Sequence, residues 1–184
     1  MTADWAPCHE FDPRHRLIAA DQGTSAEEEV IAVVSPTSPA GAAALRAYFA
    51  DVASRYYGRS ATPEEVDAAL RADPSNDLAP PSGVFVAARA TDTIVGCAGI
   101  RLVSERVGEV KRLFVAHHAR GRGLGRRLMG ELERHARDLN LTRLRLDTRS
   151  DLVEALALYA ALGYEEVPAF NTGAYAEHWL AKDL

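Results

Sequence analysis

Apolar and polar positions recur along this chain with enough regularity to mark out its elements. Glu29-Val30-Ile31-Ala32-Val33-Val34 is short and β-branched, which predicts a first strand. Ala43, Ala47, Ala50 and Ser54 are then spaced beside Leu45, Phe49 and Val52, and Ser35 or Ser38 followed by Pro39 offers a start, so a helix is expected to about Tyr57. Thr62-Pro63-Glu64-Glu65 combines an N-cap, a first-position proline and two acids. It opens a second helix through Val66, Ala69 and Leu70 that stops near Asp73-Pro74. The proline-rich run from Asp73 to Gly83 reads as a connector.

Strand periodicity takes over beyond it. Gly83 to Arg89 and Ile94 to Val103 form a hairpin about Thr91-Asp92, and Gly108 to Val115 extends an antiparallel meander. Alternation breaks at Leu113-Phe114-Val115, so both faces of that strand should be covered and it should be central. Leu124, Leu128, Leu132, His135, Ala136 and Leu139 recur at spacings of three and four, the pattern of an amphipathic helix ending near Asn140. Leu141 to Asp147 alternates as a strand, and strand, helix and strand in close succession imply a parallel pair with a crossover. A short apolar helix over Leu152 to Leu162 stops at Gly163, and Tyr164–Val167 and His178–Leu184 read as closing strands. The expected fold class is α/β of the mixed α+β kind: a mostly antiparallel mixed sheet with helices on both faces.

Bulk properties narrow the function classes. A chain of 184 residues with 47% apolar content can bury one sizeable core, so residues 29–184 are expected to be one domain and residues 1–28, polar and irregular, a flexible segment. With 21 basic against 26 acidic side chains the formal charge is −5, which argues against nucleic acid as a partner. Arginines nevertheless crowd between Arg112 and Arg149, where a small anion should bind. No apolar run approaches the ~20 residues needed to cross a bilayer, and Met1–Glu10 has neither a basic start nor an apolar stretch for export. A soluble, cytoplasmic protein is expected, with no membrane partner. Cys8 and Cys97 are too few and too differently placed for a disulfide framework, and Cys97, inside a strand pattern, reads as a small buried hydrophobe.

The chemistry concentrates in Arg120-Gly121-Arg122-Gly123-Leu124-Gly125, between a strand and a helix. Glycine lets backbone amides approach an anion, and a helix N-terminus adds unpaired N–H groups and a favourable dipole, so Arg122 to Arg126 would cradle a pyrophosphate. A P-loop is excluded because Arg126-Arg127 stands where Lys-Ser/Thr is needed, and the dinucleotide fingerprint counted from Gly121 would place its third glycine at Arg126.

This turn resembles the acetyl-CoA signature of the GCN5-related N-acetyltransferase (GNAT) superfamily: Arg or Gln, two residues, Gly, one residue, Gly or Ala. Arg120, Gly123 and Gly125 match it, and the order of elements from Val30 to Leu184 is similar to that superfamily's. Glu109 to Val115, Ala157-Leu158-Tyr159 with Gly163-Tyr164, and Asn171 to Leu184 look like a bacterial branch acting on small molecules. The resemblance implies an acetyl-CoA-dependent N-acetyltransferase, an acyltransferase needing no metal. Acetyl-CoA would be cosubstrate and a small-molecule primary amine, such as an amino acid, the acceptor; a homodimer is allowed. It implies pantetheine pairing near Phe114 and Val115, pyrophosphate binding by Arg120, Gly121, Arg122, Gly123, Leu124, Gly125 and Arg126, and an oxyanion donor at the Val115 amide. Tyr159 would be the acid that reprotonates the CoA thiolate, since a phenol is protonated at neutral pH. Glu109 would be the base, directly or through water, or else a carboxylate paired with Lys111. His117 and His118 are outsiders for that role, and Asn171, Tyr175 and His178 approach the acceptor side without an assigned part. Two other readings stay open: a peptide N-acetyltransferase, and an acyl-CoA-binding sensor without turnover.

Overall fold

The computed structural model describes residues 29–184; residues 1–28, with Cys8, lie outside the described residues. In chain order the elements are β1 (Val30–Val33), α1 (Pro39–Tyr57), α2 (Pro63–Ala72), β2 (Gly83–Ala90), β3 (Thr93–Leu102), β4 (Val107–Val115), α3 (Leu124–Asp138), β5 (Arg143–Thr148), α4 (Val153–Ala161), β6 (Glu165–Glu166) and β7 (His178–Asp183). The strands form one sheet of seven in the order β1-β2-β3-β4-β5-β7-β6, antiparallel except for the β4–β5 pair, with β4 in the middle. This is the expected mixed sheet. α3 ends at Asp138, near the expected Asn140, which takes φ 59° to turn the chain. The strand expected over Tyr164–Val167 shrinks to two residues, because only Glu165 and Glu166 find partners on β7.

Helix starts follow the residues that announced them. Ser38 caps α1 by accepting from the Gly41 amide at 3.1 Å. Thr62 and Glu65 form a reciprocal capping box at α2. The Asp73–Gly83 connector holds a 3-10 turn, Asn76–Leu78, whose Leu78 is 1% exposed and plugs the sheet under α1.

Two apolar clusters sandwich the sheet. Ala44, Leu45 and Phe49 of α1 meet Phe85, Ala87 and Cys97, while Leu124, Leu128 and Leu132 of α3 meet Val84, Val86, Ala98 and Ile100 on the opposite face. Strand β4 contributes to both: Val110 to the α3 side and Phe114 to the α1 side. Residues four apart on a regular strand share a face. A bulge reconciles them, since the β3–β4 register slips between Cys97 and Gly99 and Arg112 takes φ 59°. The break in alternation at Leu113-Phe114-Val115 thus marks an inserted residue. Cys97 is fully buried with its thiol toward the Arg112 carbonyl, 3.3 Å away, and burial pushes its pKa up, so it is the inert filler expected.

Candidate active site

β4 and β5 are paired only over Val107–Glu109 and Arg143–Arg145. Beyond that register their chains part, and a cavity of about 990 Å³ opens between them, walled by α1 and α2 on one side and by the α3 N-terminus, α4 and the Gly173–Ala176 loop on the other.

One end of the cavity is the arginine-glycine turn. Gly121 and Gly123 adopt φ 76° and 80°, a conformation that costs a side-chain-bearing residue more than glycine. The N–H groups of Gly121 to Arg126 have no main-chain acceptor among the described residues, and Arg127 is the first whose amide bonds back, to the Gly123 carbonyl at 3.1 Å. A run of unpaired amides at the head of a helix of 15 residues fits a pyrophosphate. The Arg120 guanidinium is turned into the protein, donating to the Val115 carbonyl at 2.8 Å and to Asp51 at 2.9 Å. Arg120 therefore braces the turn against α1 and β4.

At the floor, Ala116 donates to the Val95 carbonyl at 2.8 Å, which makes that pair hydrogen-bonded and its neighbour, Val115 with Gly96, not. The Val115 N–H and C=O consequently point away from β3, toward the gap that β5 leaves. Phe114, the preceding residue, lines the cavity too but turns its main chain to β3 and its ring into the α1 core, while the Val115 N–H faces the cleft.

Tyr159 of α4 lines the cavity and is 6% exposed. Burial, with the neighbouring Tyr48 and Asp147, pushes its pKa well above the usual phenol value, so it is a neutral donor throughout the physiological range. Tyr164 packs behind it, ring centroids 5.9 Å apart.

Glu109 is not brought to the cavity surface. It is 1% exposed at the last paired register, with Arg101 Nη2 at 2.5 Å, Lys111 Nζ at 2.9 Å and Arg145 Nη2 at 2.9 Å. Burial alone would raise its pKa, but Lys111, Arg101 and Arg145 outweigh that and lower it. Among the carboxylates that line the cavity, the one beside Tyr159 is Asp147, at the end of β5, which the sequence marks only as the end of a strand, without a chemical role. Its Oδ1 accepts from Lys111 Nζ at 3.2 Å and from Asn171 Nδ2 at 3.0 Å, and Asn171 is itself oriented by the Trp179 indole at 3.0 Å. Asn171 thus acquires a structural part, Tyr175 joins the rim, and His117, His118 and His178 stand outside the lining. At the rim the Tyr56 and Tyr175 rings meet edge to face, centroids 5.4 Å apart, joining α1 to the loop before β7.

The seven-stranded sheet, whose central parallel pair parts beside an amide-lined helix N-terminus, matches the acyl-CoA N-acyltransferase fold. Residues 46–164 match the model of the acetyltransferase (GNAT) family, and the chain belongs to that family. A stretch of 95 residues, 51% of this chain, is 41% identical to 62% of an IAA acetyltransferase from Azospirillum brasilense. Another of 96 residues, 50% of the chain, is 38% identical to 59% of the N-alpha-acetyltransferase RimI of Mycobacterium tuberculosis. The chain thus spans less than two thirds of either relative. A PaiA N-acetyltransferase from Thermoplasma acidophilum, solved in complex with coenzyme A, superposes with a TM-score of 0.66 over 84% of this chain and 99% of its own at 15% identity, a likeness of fold alone. Among the described residues no helix is long and apolar enough to cross a membrane.

Proposed function

We propose that the protein is a cytoplasmic N-acetyltransferase that takes its acetyl group from acetyl-CoA and delivers it to the primary amine of a small molecule. The supporting observation is the convergence, in one cavity, of Gly121 and Gly123 to Arg126, whose amides have no main-chain acceptor among the described residues, with the outward-facing Val115 amide and the neutral Tyr159 phenol. Bound at the turn, acetyl-CoA would supply an activated acyl thioester. The amides of Leu124 to Arg126 hold the pyrophosphate against the helix dipole, with Arg122 and Arg126 at the exposed rim. The Val115 N–H polarises the acyl oxygen as charge develops on it. The Tyr159 hydroxyl donates its proton to the departing sulfur.

The proton shed by the acceptor nitrogen needs a receiver: of the carboxylates that line the cavity, Asp51, Glu65, Asp73 and Glu154 are each paired with an arginine, and Asp147 is the one assigned to it. Lys111 and Asn171 both bond Oδ1, leaving Oδ2 for the acceptor ammonium. Glu109, engaged by Arg101, Lys111 and Arg145, would have to break a charge-assisted bond to accept a proton. The contact between Tyr56 and Tyr175 favours a compact acceptor over an extended chain, because it joins the two walls at the mouth. The name of the RimI relative motivates the peptide alternative. Acetylation of a panel of amino acids and small amines, run beside peptides with free N-termini, separates the two. Small amines are expected to be the faster substrates by kcat/KM; peptides turned over faster would overturn the small-molecule reading.

A further inference from the structure

Glu109 is left without a step in this reaction, yet it is the most heavily contacted carboxylate beside the cleft. Parallel register sets it across from Arg145, and both strands then advance by two residues to Lys111 and Asp147, where backbone pairing has ended. The four charges alternate along and across the strands. Glu109 bonds Lys111 and Arg145, and Lys111 bonds Asp147 across the gap at 3.2 Å. Phe170 stacks on the Arg145 guanidinium at 4.0 Å, fixing the fourth corner.

Lys111 is the link. A lysine side chain is flexible and does not hold one position unaided. Here its Nζ is caught between a carboxylate with 1% exposure and one that faces the cavity.

We infer that Glu109 is a positioning residue: it anchors Lys111, which holds Asp147 Oδ1 at the apex of the cleft so that Oδ2 faces the acceptor amine. The inference rests on the assignment of Asp147 as the receiver of the acceptor proton. It turns a buried ion cluster into the support of the proton-transfer geometry, and it makes the placement of Asp147 depend on a side chain that never meets substrate.

A double-substitution cycle tests it, with kcat and KM measured for the best small amine of the panel and acetyl-CoA affinity measured by titration. Glu109→Gln is expected to lower kcat on the order of 10- to 100-fold, the cost of a misplaced reacting group, with acetyl-CoA affinity unchanged. In an Asp147→Asn background the same substitution should cost nothing further. Lys111→Gln, which leaves Glu109 its two arginines, should reproduce the loss, and Lys111→Arg should recover part of it. Should Glu109→Gln fail to fold, Lys111→Gln takes its place in the cycle with the same expectation. Independent, multiplying losses for Glu109→Gln and Asp147→Asn would overturn the inference, as would full activity in Lys111→Gln. Full activity in Asp147→Asn would overturn it while leaving acyl transfer standing, and a wild-type protein that acetylates no amine would overturn both.

Discussion

Gly123 stands at φ 80° as the N-cap of α3, with open space where a Cβ would lie, so alanine there meets a conformational penalty and no clash. Gly123→Ala is expected to cost about 1 kcal/mol of stability and to weaken coenzyme A binding beyond that, because the amides around it must rotate to relieve the strain. A calorimetric titration with coenzyme A that matches wild type would contradict the cradle assigned to this turn. The turn was legible in the sequence because its glycines and arginines are adjacent letters whose spacing carries the geometry. Asp147 was not. Nothing around it distinguishes it from any polar residue of an alternating strand, and only the parting of β4 and β5 brings it to the cavity. For Glu109 the pairing with Lys111 was legible on its own strand, but Arg145, which also binds it, lies 36 positions away.

Among the elements, α2 is the clearest case of local sequence deciding local structure and then reaching the site. Its capping box fixes the start of a helix whose Ala68, Ala69 and Ala72 form part of the cleft wall. Thr62→Ala removes one half of that box and should cost about 1 kcal/mol, seen as a Tm lowered by a few degrees. It should also raise KM for the acceptor and leave acetyl-CoA affinity unchanged; an equal loss of both would mean that α2 supports the whole cavity. Helices and the meander were readable because their periods and caps are short-range. The bulge in β4 showed only as a lapse in alternation, since an inserted residue is defined by a partner strand. The brevity of β6 and the 3-10 turn bearing Leu78 depend on tertiary contacts alone.

For the whole molecule, the charge arrangement predicts how stability responds to acid. Glu109 has a folded pKa below its ordinary value of 4.5, because Lys111, Arg101 and Arg145 outweigh the effect of burial. Such a group contributes stability that is fully present above the unfolded value and is lost as the pH falls through the folded one. The wild-type Tm should therefore fall on acidification below about pH 4.5 more steeply than that of Glu109→Gln; parallel Tm–pH curves would show that the cluster contributes nothing to folding.

We propose that this cavity transfers an acetyl group and does not merely hold a coenzyme. The measurement that meets it directly compares wild type with Tyr159→Phe, following amine-dependent release of the CoA thiol from acetyl-CoA alongside acetyl-CoA affinity. Turnover in the wild type is expected to drop about 100-fold in the variant while acetyl-CoA binds both equally. Tight binding to both with no amine-dependent release from either would contradict it, leaving the fold as a platform that binds acyl-CoA without using it.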